Sequence, residues 1–108
     1  MKRKYIDFYE RLQNIISDVT IEIAEMLENN GKNEYTFSNK NITLTLIEDY
    51  ENDIVFVDKL RWDEDESELY VVTSDNEVYC ISDFENETLA LLYLYDELYS
   101  EMNKETDK

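Results

Sequence analysis

Residues 62–70 read WDEDESELY, and Asp63, Asp65 and Ser67 stand at alternate positions with Glu64 and Glu66 between them and Glu68 following. Oxygen donors at alternate positions open a helix-loop-helix calcium site, where the first half of the loop wraps the ion and a distal bidentate glutamate closes the shell. The pattern does not complete. The sixth position, which needs glycine for its sharp turn, is Glu68, and the twelfth, which needs the closing glutamate, is Ser74. The stretch therefore reads as a solvated hairpin loop, and no metal is expected there.

Other chemistry fails on residue types. The chain contains no histidine, which removes the commonest general base and zinc ligand. Its single glycine cannot build a phosphate-cradling loop, and its single cysteine, Cys80, supports neither an internal disulfide nor a cysteine metal cage. Cys80 sits in a short apolar run among acids, surroundings that raise a thiol pKa and blunt its reactivity, so it reads as a buried structural thiol. With 27 acids, a carboxylate pair would arise by chance, so glycosidase-like chemistry has no specific signal. The expectation is a protein that is not an enzyme and takes no cofactor. The lone cysteine suits a reducing compartment, and the longest apolar run, residues 89–95, is too short to span a membrane, so a cytoplasmic protein is expected.

Charge is the informative feature. The net charge is −17, yet residues 1–47 carry seven acids and six bases, whereas residues 48–101 carry eighteen acids and two bases. Between Arg61 and Lys104 lie 42 residues without a cation and with thirteen carboxylates. Solubility alone favours acids but does not call for their segregation. Glu97 and Glu101 are a like-charged pair one helical turn apart, an arrangement costing about 0.2–0.5 kcal/mol that stability would not select. Such a surface suits a cationic partner: it would steer encounter and repel nucleic acid itself.

The elements that must position these groups follow from periodicity. Tyr5, Phe8, Tyr9, Leu12, Ile15, Ile16, Val19, Ile23, Met26 and Leu27 fall on one stripe of a long first helix, which Asn29-Asn30-Gly31 ends. Runs at 34–37, 42–47, 54–62, 68–73 and 77–81, separated by polar residues, predict an antiparallel meander of four or five short strands. The runs IVFV, YVV and YCI carry apolar residues on both faces, which implies central strands or a second covered face. Ser82 or Asp83 is placed to cap a last helix reaching about Met102, with Phe84, Leu91, Leu92, Tyr95, Leu98, Tyr99 and Met102 inward. Leu89 and Tyr93 are left opposite, with Leu94 also off the main stripe, as an apolar spot ringed by acids. The segment 103–108 is polar and expected to fray.

These readings combine into one acidic α+β domain, a length of 108 residues sufficing for a single core. The expected function is to bind and block a basic, nucleic-acid-binding site on another protein, without direct nucleic-acid or membrane binding. The composition is similar to that of nucleic-acid-mimic inhibitors such as phage anti-restriction and anti-CRISPR proteins, without a residue correspondence. An immunity protein or antitoxin neutralising a basic nuclease toxin uses the same physics. A dimeric accessory or scaffold domain whose charge only solubilises is the third alternative. The expected partner-binding residues are Asp63, Glu64, Asp65, Glu66, Glu68, Leu89, Tyr93, Asp96, Glu97 and Glu101.

Overall fold

The computed structural model describes residues 2–47 and 51–104, with side chains for residue 11, residues 13–47 and residues 51–103. The chain folds as α+β: a long helix α1 (Lys2–Asn29), five antiparallel strands and a second helix α2 (Glu87–Lys104). In α1 the predicted stripe holds from Ile16 onward: Ile23 and Leu27 are buried, joined by Ala24, and Ile16, Val19 and Met26 are half-buried, whereas Ile15 of the stripe and Ile21 outside it are exposed. Tyr5, Phe8, Tyr9 and Leu12 lie outside the described side chains. The helix ends where the glycine predicts, with Gly31 at φ +90 and its amide donating to the Glu28 carbonyl at 2.9 Å.

The strands are β1 (Glu34–Thr36), β2 (Thr43–Ile47), β3 (Asn52–Asp63), β4 (Glu68–Thr73) and β5 (Val78–Cys80). The sheet order is β1-β3-β4-β5, with β2 also paired to β3. Strand β1 pairs with residues 59–61 of β3, and β2 with residues 52–56. The two short strands therefore run end to end along β3, interrupted by an excursion over residues 38–41. Phe37 N donates to Asp58 O at 2.9 Å on one side of the excursion, and Val57 N donates to Ile42 O at 2.8 Å on the other.

Opposite the excursion β3 is itself irregular. Its register with β4 jumps from Val57↔Thr73 to Lys59↔Val72, leaving Asp58 as a bulged residue. An extra residue reverses which parity faces inward. Thus Val55 and Val57 meet the core before the bulge and Leu60 and Trp62 after it, while Ile54, Phe56, Lys59 and Arg61 take the other face. The bulge thus explains why Val55 and Val57 share the core face with Leu60 and Trp62, whereas Ile54 and Phe56, which precede it, are exposed apolar residues on the outer face. Both helices lie on the inner face, where Ile23 and Leu27 of α1 and Leu91, Leu94 and Leu98 of α2 form one core with Leu44, Leu46, Val57, Leu60, Leu69 and Val71.

The last helix begins later than predicted, and its inward stripe is rotated. Ile81–Asp83 form a 3-10 turn, and Phe84 is buried through an isolated bridge to Leu46 rather than on a helical turn. The cap is Asn86, whose side-chain oxygen accepts from Leu89 N at 3.4 Å, in place of Ser82 or Asp83. Ala90, Leu91, Leu94, Leu98 and Glu101 are buried, whereas Leu92 and Tyr99, expected inside, are exposed. Leu94, expected off the main stripe, is fully buried. The helix carries large apolar residues on both sides, so its apolar pattern alone does not distinguish the two phases. The helix reaches Lys104, two residues into the segment expected to fray; residues 105–108 lie outside the described residues.

Glu101 is only 9% exposed. Its carboxylate accepts from Ser38 N at 2.7 Å, Asn39 N at 2.9 Å and the Tyr35 hydroxyl at 3.0 Å. The last turns of α2 thereby hold the excursion between β1 and β2. Removing a buried carboxylate strands its donors, each at about 1–3 kcal/mol before relaxation. Glu101→Ala is expected to lower unfolding stability in urea by about 3 kcal/mol, and Glu101→Gln, which keeps one acceptor, by less. A Glu101→Ala loss below about 0.5 kcal/mol would show that the clamp is not made in solution.

Candidate binding surfaces

The stretch that opens the sequence problem forms the β3–β4 turn. Asp63 Oδ1 accepts from Asp65 N at 3.0 Å and Glu66 N at 3.2 Å, and Ser67 adopts φ +52. Asp63 thus serves its own turn, the side-chain-to-backbone closure that short acids provide. Glu64, Asp65 and Glu66 are exposed; Asp63 and Glu68 are half-buried. Glu66 also accepts from the Tyr70 hydroxyl at 2.9 Å, and the Arg61 guanidinium lies 5.6 Å from the centre of the Tyr70 ring.

That hydrogen bond to Glu66, followed by desolvation and the nearby negative charges, pushes the Tyr70 phenol up to about 12. Cys80 pairs with Tyr70 across the β4–β5 ladder. Burial first, then the carboxylates of Glu68 and Asp83, raise its thiol pKa above the ordinary value, in the direction its sequence context predicts. It is half-buried rather than buried.

The acids of α2 do not form the outward face assigned to them. Asp96 is exposed, but Glu97 is half-buried and accepts from Asn39 Nδ2 at 3.5 Å, and Glu101 is enclosed as described. The pair that looked electrostatically wasteful instead accepts from the Ser38 and Asn39 amides and the Asn39 side chain. Glu101 is accordingly withdrawn from the candidate surface. What α2 turns outward is mostly apolar: Leu89 is 61% exposed and Tyr93 38%, joined by Leu92 and Tyr99.

Leu89 and Tyr93 flank a cleft of about 490 Å³ whose other wall is Thr43–Thr45 of β2, with Glu85 and Asn86 at its end. The polar groups of the residues lining the cleft are the Glu85 carboxylate, the Asn86 amide and the hydroxyls of Thr43, Thr45 and Tyr93. It lies beside residues 54–56 of β3, which pair with Thr43–Thr45, whereas the hairpin acids begin at Asp63. Seven residue steps of strand lead from Phe56 to Asp63, about 23 Å. The expected site residues therefore divide into two regions, an acidic hairpin tip and an apolar cleft.

Sequence reasoning missed the apolar residues on the outer sheet face, Ile47, Ile54 and Phe56. The alternation of TLTLI does place Thr43, Thr45 and Ile47 together; the corresponding phase of β3 is hidden because residues 54–57, IVFV, are all apolar. No helix among the described residues is long and apolar enough to cross a membrane. Comparisons with protein families, curated proteins and solved structures yield no match to the chain.

The hairpin chemistry has a direct readout. Because the folded-state pKa of Tyr70 lies above the ordinary phenol value of about 10, its contribution to stability is fully present below pH ~10 and is lost as pH rises through about 12. Ultraviolet titration should resolve one late-ionising phenol, and Glu66→Gln should bring it down toward about 10. A Tyr70 phenol titrating near 10 in the unaltered protein, identified by its loss in Tyr70→Phe, would contradict the Glu66 contact.

Proposed function

We propose that this chain is a non-enzymatic acidic binding protein that blocks or regulates a basic, nucleic-acid-binding site on another protein. The observation carrying this reading is the segregation of charge: eighteen acids against two bases in residues 48–101. Both bases are engaged within the fold. Lys59 Nζ lies 3.4 Å from Glu34 Oε2, and Arg61 sits over Tyr70. The negative field of the hairpin tip, of Asp75 and Glu77 in the β4–β5 turn, and of Asp83, Glu85 and Asp96 is thus left for a partner; all but Asp63 and Glu68 of these positions are exposed.

A surface of this kind repels nucleic acid and attracts the groove that holds it, so binding and competition follow from one field. An immunity protein facing a basic nuclease uses the same field. The test is to immobilise the chain, recover basic proteins retained at low salt, and measure binding kinetics for the retained protein. Reversing exposed acids in two pairs, Glu64→Lys with Asp65→Lys and Glu85→Lys with Asp96→Lys, should slow association by about tenfold at low salt while changing dissociation less. Added nucleic acid should compete for the partner. Rates insensitive to salt and charge reversal would reduce the acids to solubilising groups.

A further inference from the structure

Two surfaces that the charge reading leaves unused meet at the β2 edge. On the outer sheet face, Thr43 stands opposite Phe56 and Thr45 opposite Ile54, with Ile54 71% exposed, Phe56 48% and Ile47 53%. Around the edge, the same threonines form one wall of the cleft whose other wall is Leu89 and Tyr93. One apolar strip therefore runs from the outer face of β3, across β2, to the outward face of α2.

The backbone of β2 faces the strip as well. Val57 N donates to Ile42 O at 2.8 Å, so the main-chain groups of Ile42, Leu44 and Leu46 point to β3 and those of Thr43 and Thr45 point away. The Thr45 carbonyl accepts from Glu85 N at 2.8 Å, and Leu46 bridges Phe84; among the described residues no strand pairs with Thr43 on that side. A short open edge next to apolar pockets is the geometry by which an extended segment adds to a sheet.

Charge selects the occupant. The strip is bordered by Glu85 at the cleft and by Asp96 one helical turn from Tyr93, both exposed, and no cation lines the cleft. A second copy would bring the same carboxylates face to face. We infer that the strip seats an extended protein segment that carries apolar side chains together with lysine or arginine, the apolar side chains entering the cleft or the outer face while the cations meet the bordering acids. This rests on the basic-partner reading above and deepens it by assigning the anchor.

The probes are three seven-residue peptides titrated into the ¹⁵N-labelled full chain: alternating lysine and valine, all lysine, and alternating glutamate and valine. The lysine–valine peptide should give saturable shifts at Thr43, Thr45, Ile54, Phe56, Leu89 and Tyr93, binding about tenfold tighter than all-lysine. Tyr93→Ala and, independently, Ile54→Ser with Phe56→Ser should each weaken it by about tenfold, with circular dichroism unchanged. Equal binding of all-lysine, with shifts scattered over the acids, overturns the strip and leaves the charge reading standing. Failure of both cationic peptides overturns both. Equal binding of the glutamate peptide, or a dimer in sedimentation that Tyr93→Ala dissolves, overturns the choice of occupant.

Discussion

A carboxylate placed where Glu101 lies loses most of its hydration, at a cost of several kcal/mol unless donors replace the water. The donors that replace it are the amides of Ser38 and Asn39 and the Tyr35 hydroxyl, supplied where the chain leaves the edge of β3. Each side thus answers a requirement of the other. The excursion gains an acceptor for amides that no sheet partner takes, and the helix gains compensation for a charge it could not otherwise enclose. Lys40 adds a salt bridge to the bulged Asp58 at 3.2 Å, exposed and worth at most about 1 kcal/mol, so the enclosed carboxylate dominates.

The consequences reach the binding surfaces through geometry. With its C-terminal turns fixed on residues 38–39, α2 turns Leu91, Leu94 and Leu98 into the core and leaves Leu89 and Tyr93 facing Thr43–Thr45 across the cleft. Burying each leucine stabilises the fold by about 2 kcal/mol, so the helix phase has several residues behind it, but Glu101 is the member of the stripe with directional bonds. The bulge at Asp58 does the matching work in the sheet. It lets β3 feed the core from both of its halves while Ile54 and Phe56 are turned outward.

The sequence was most legible where one period ran without interruption. The ELYVVT strand matches β4 residue for residue, and Gly31 marks the end of α1 through its need for positive φ. The fold class followed from these elements. The phase of α2 did not, because Leu89, Leu92, Tyr93 and Tyr99 weigh as heavily in any stripe as Leu91, Leu94 and Leu98, and a glutamate is not counted as core. Reading Glu97 and Glu101 as a repelling surface pair followed from that error: a charge buried by contacts 62 and 63 residues away has no local signature. Leu89 and Tyr93 were placed outward correctly, but their partner wall on β2 depends on tertiary packing.

The clamp is tested most directly by native-state amide hydrogen exchange at Ser38 and Asn39. Both residues lie outside the strands, and Ser38 is exposed, so without Glu101 their amides would exchange close to the rate of an unstructured chain. The account predicts protection of both amides comparable with that of the α2 core amides, and its selective loss in Glu101→Ala while β4 amides remain protected. Exchange of Ser38 and Asn39 at unstructured rates in the unaltered protein would contradict it.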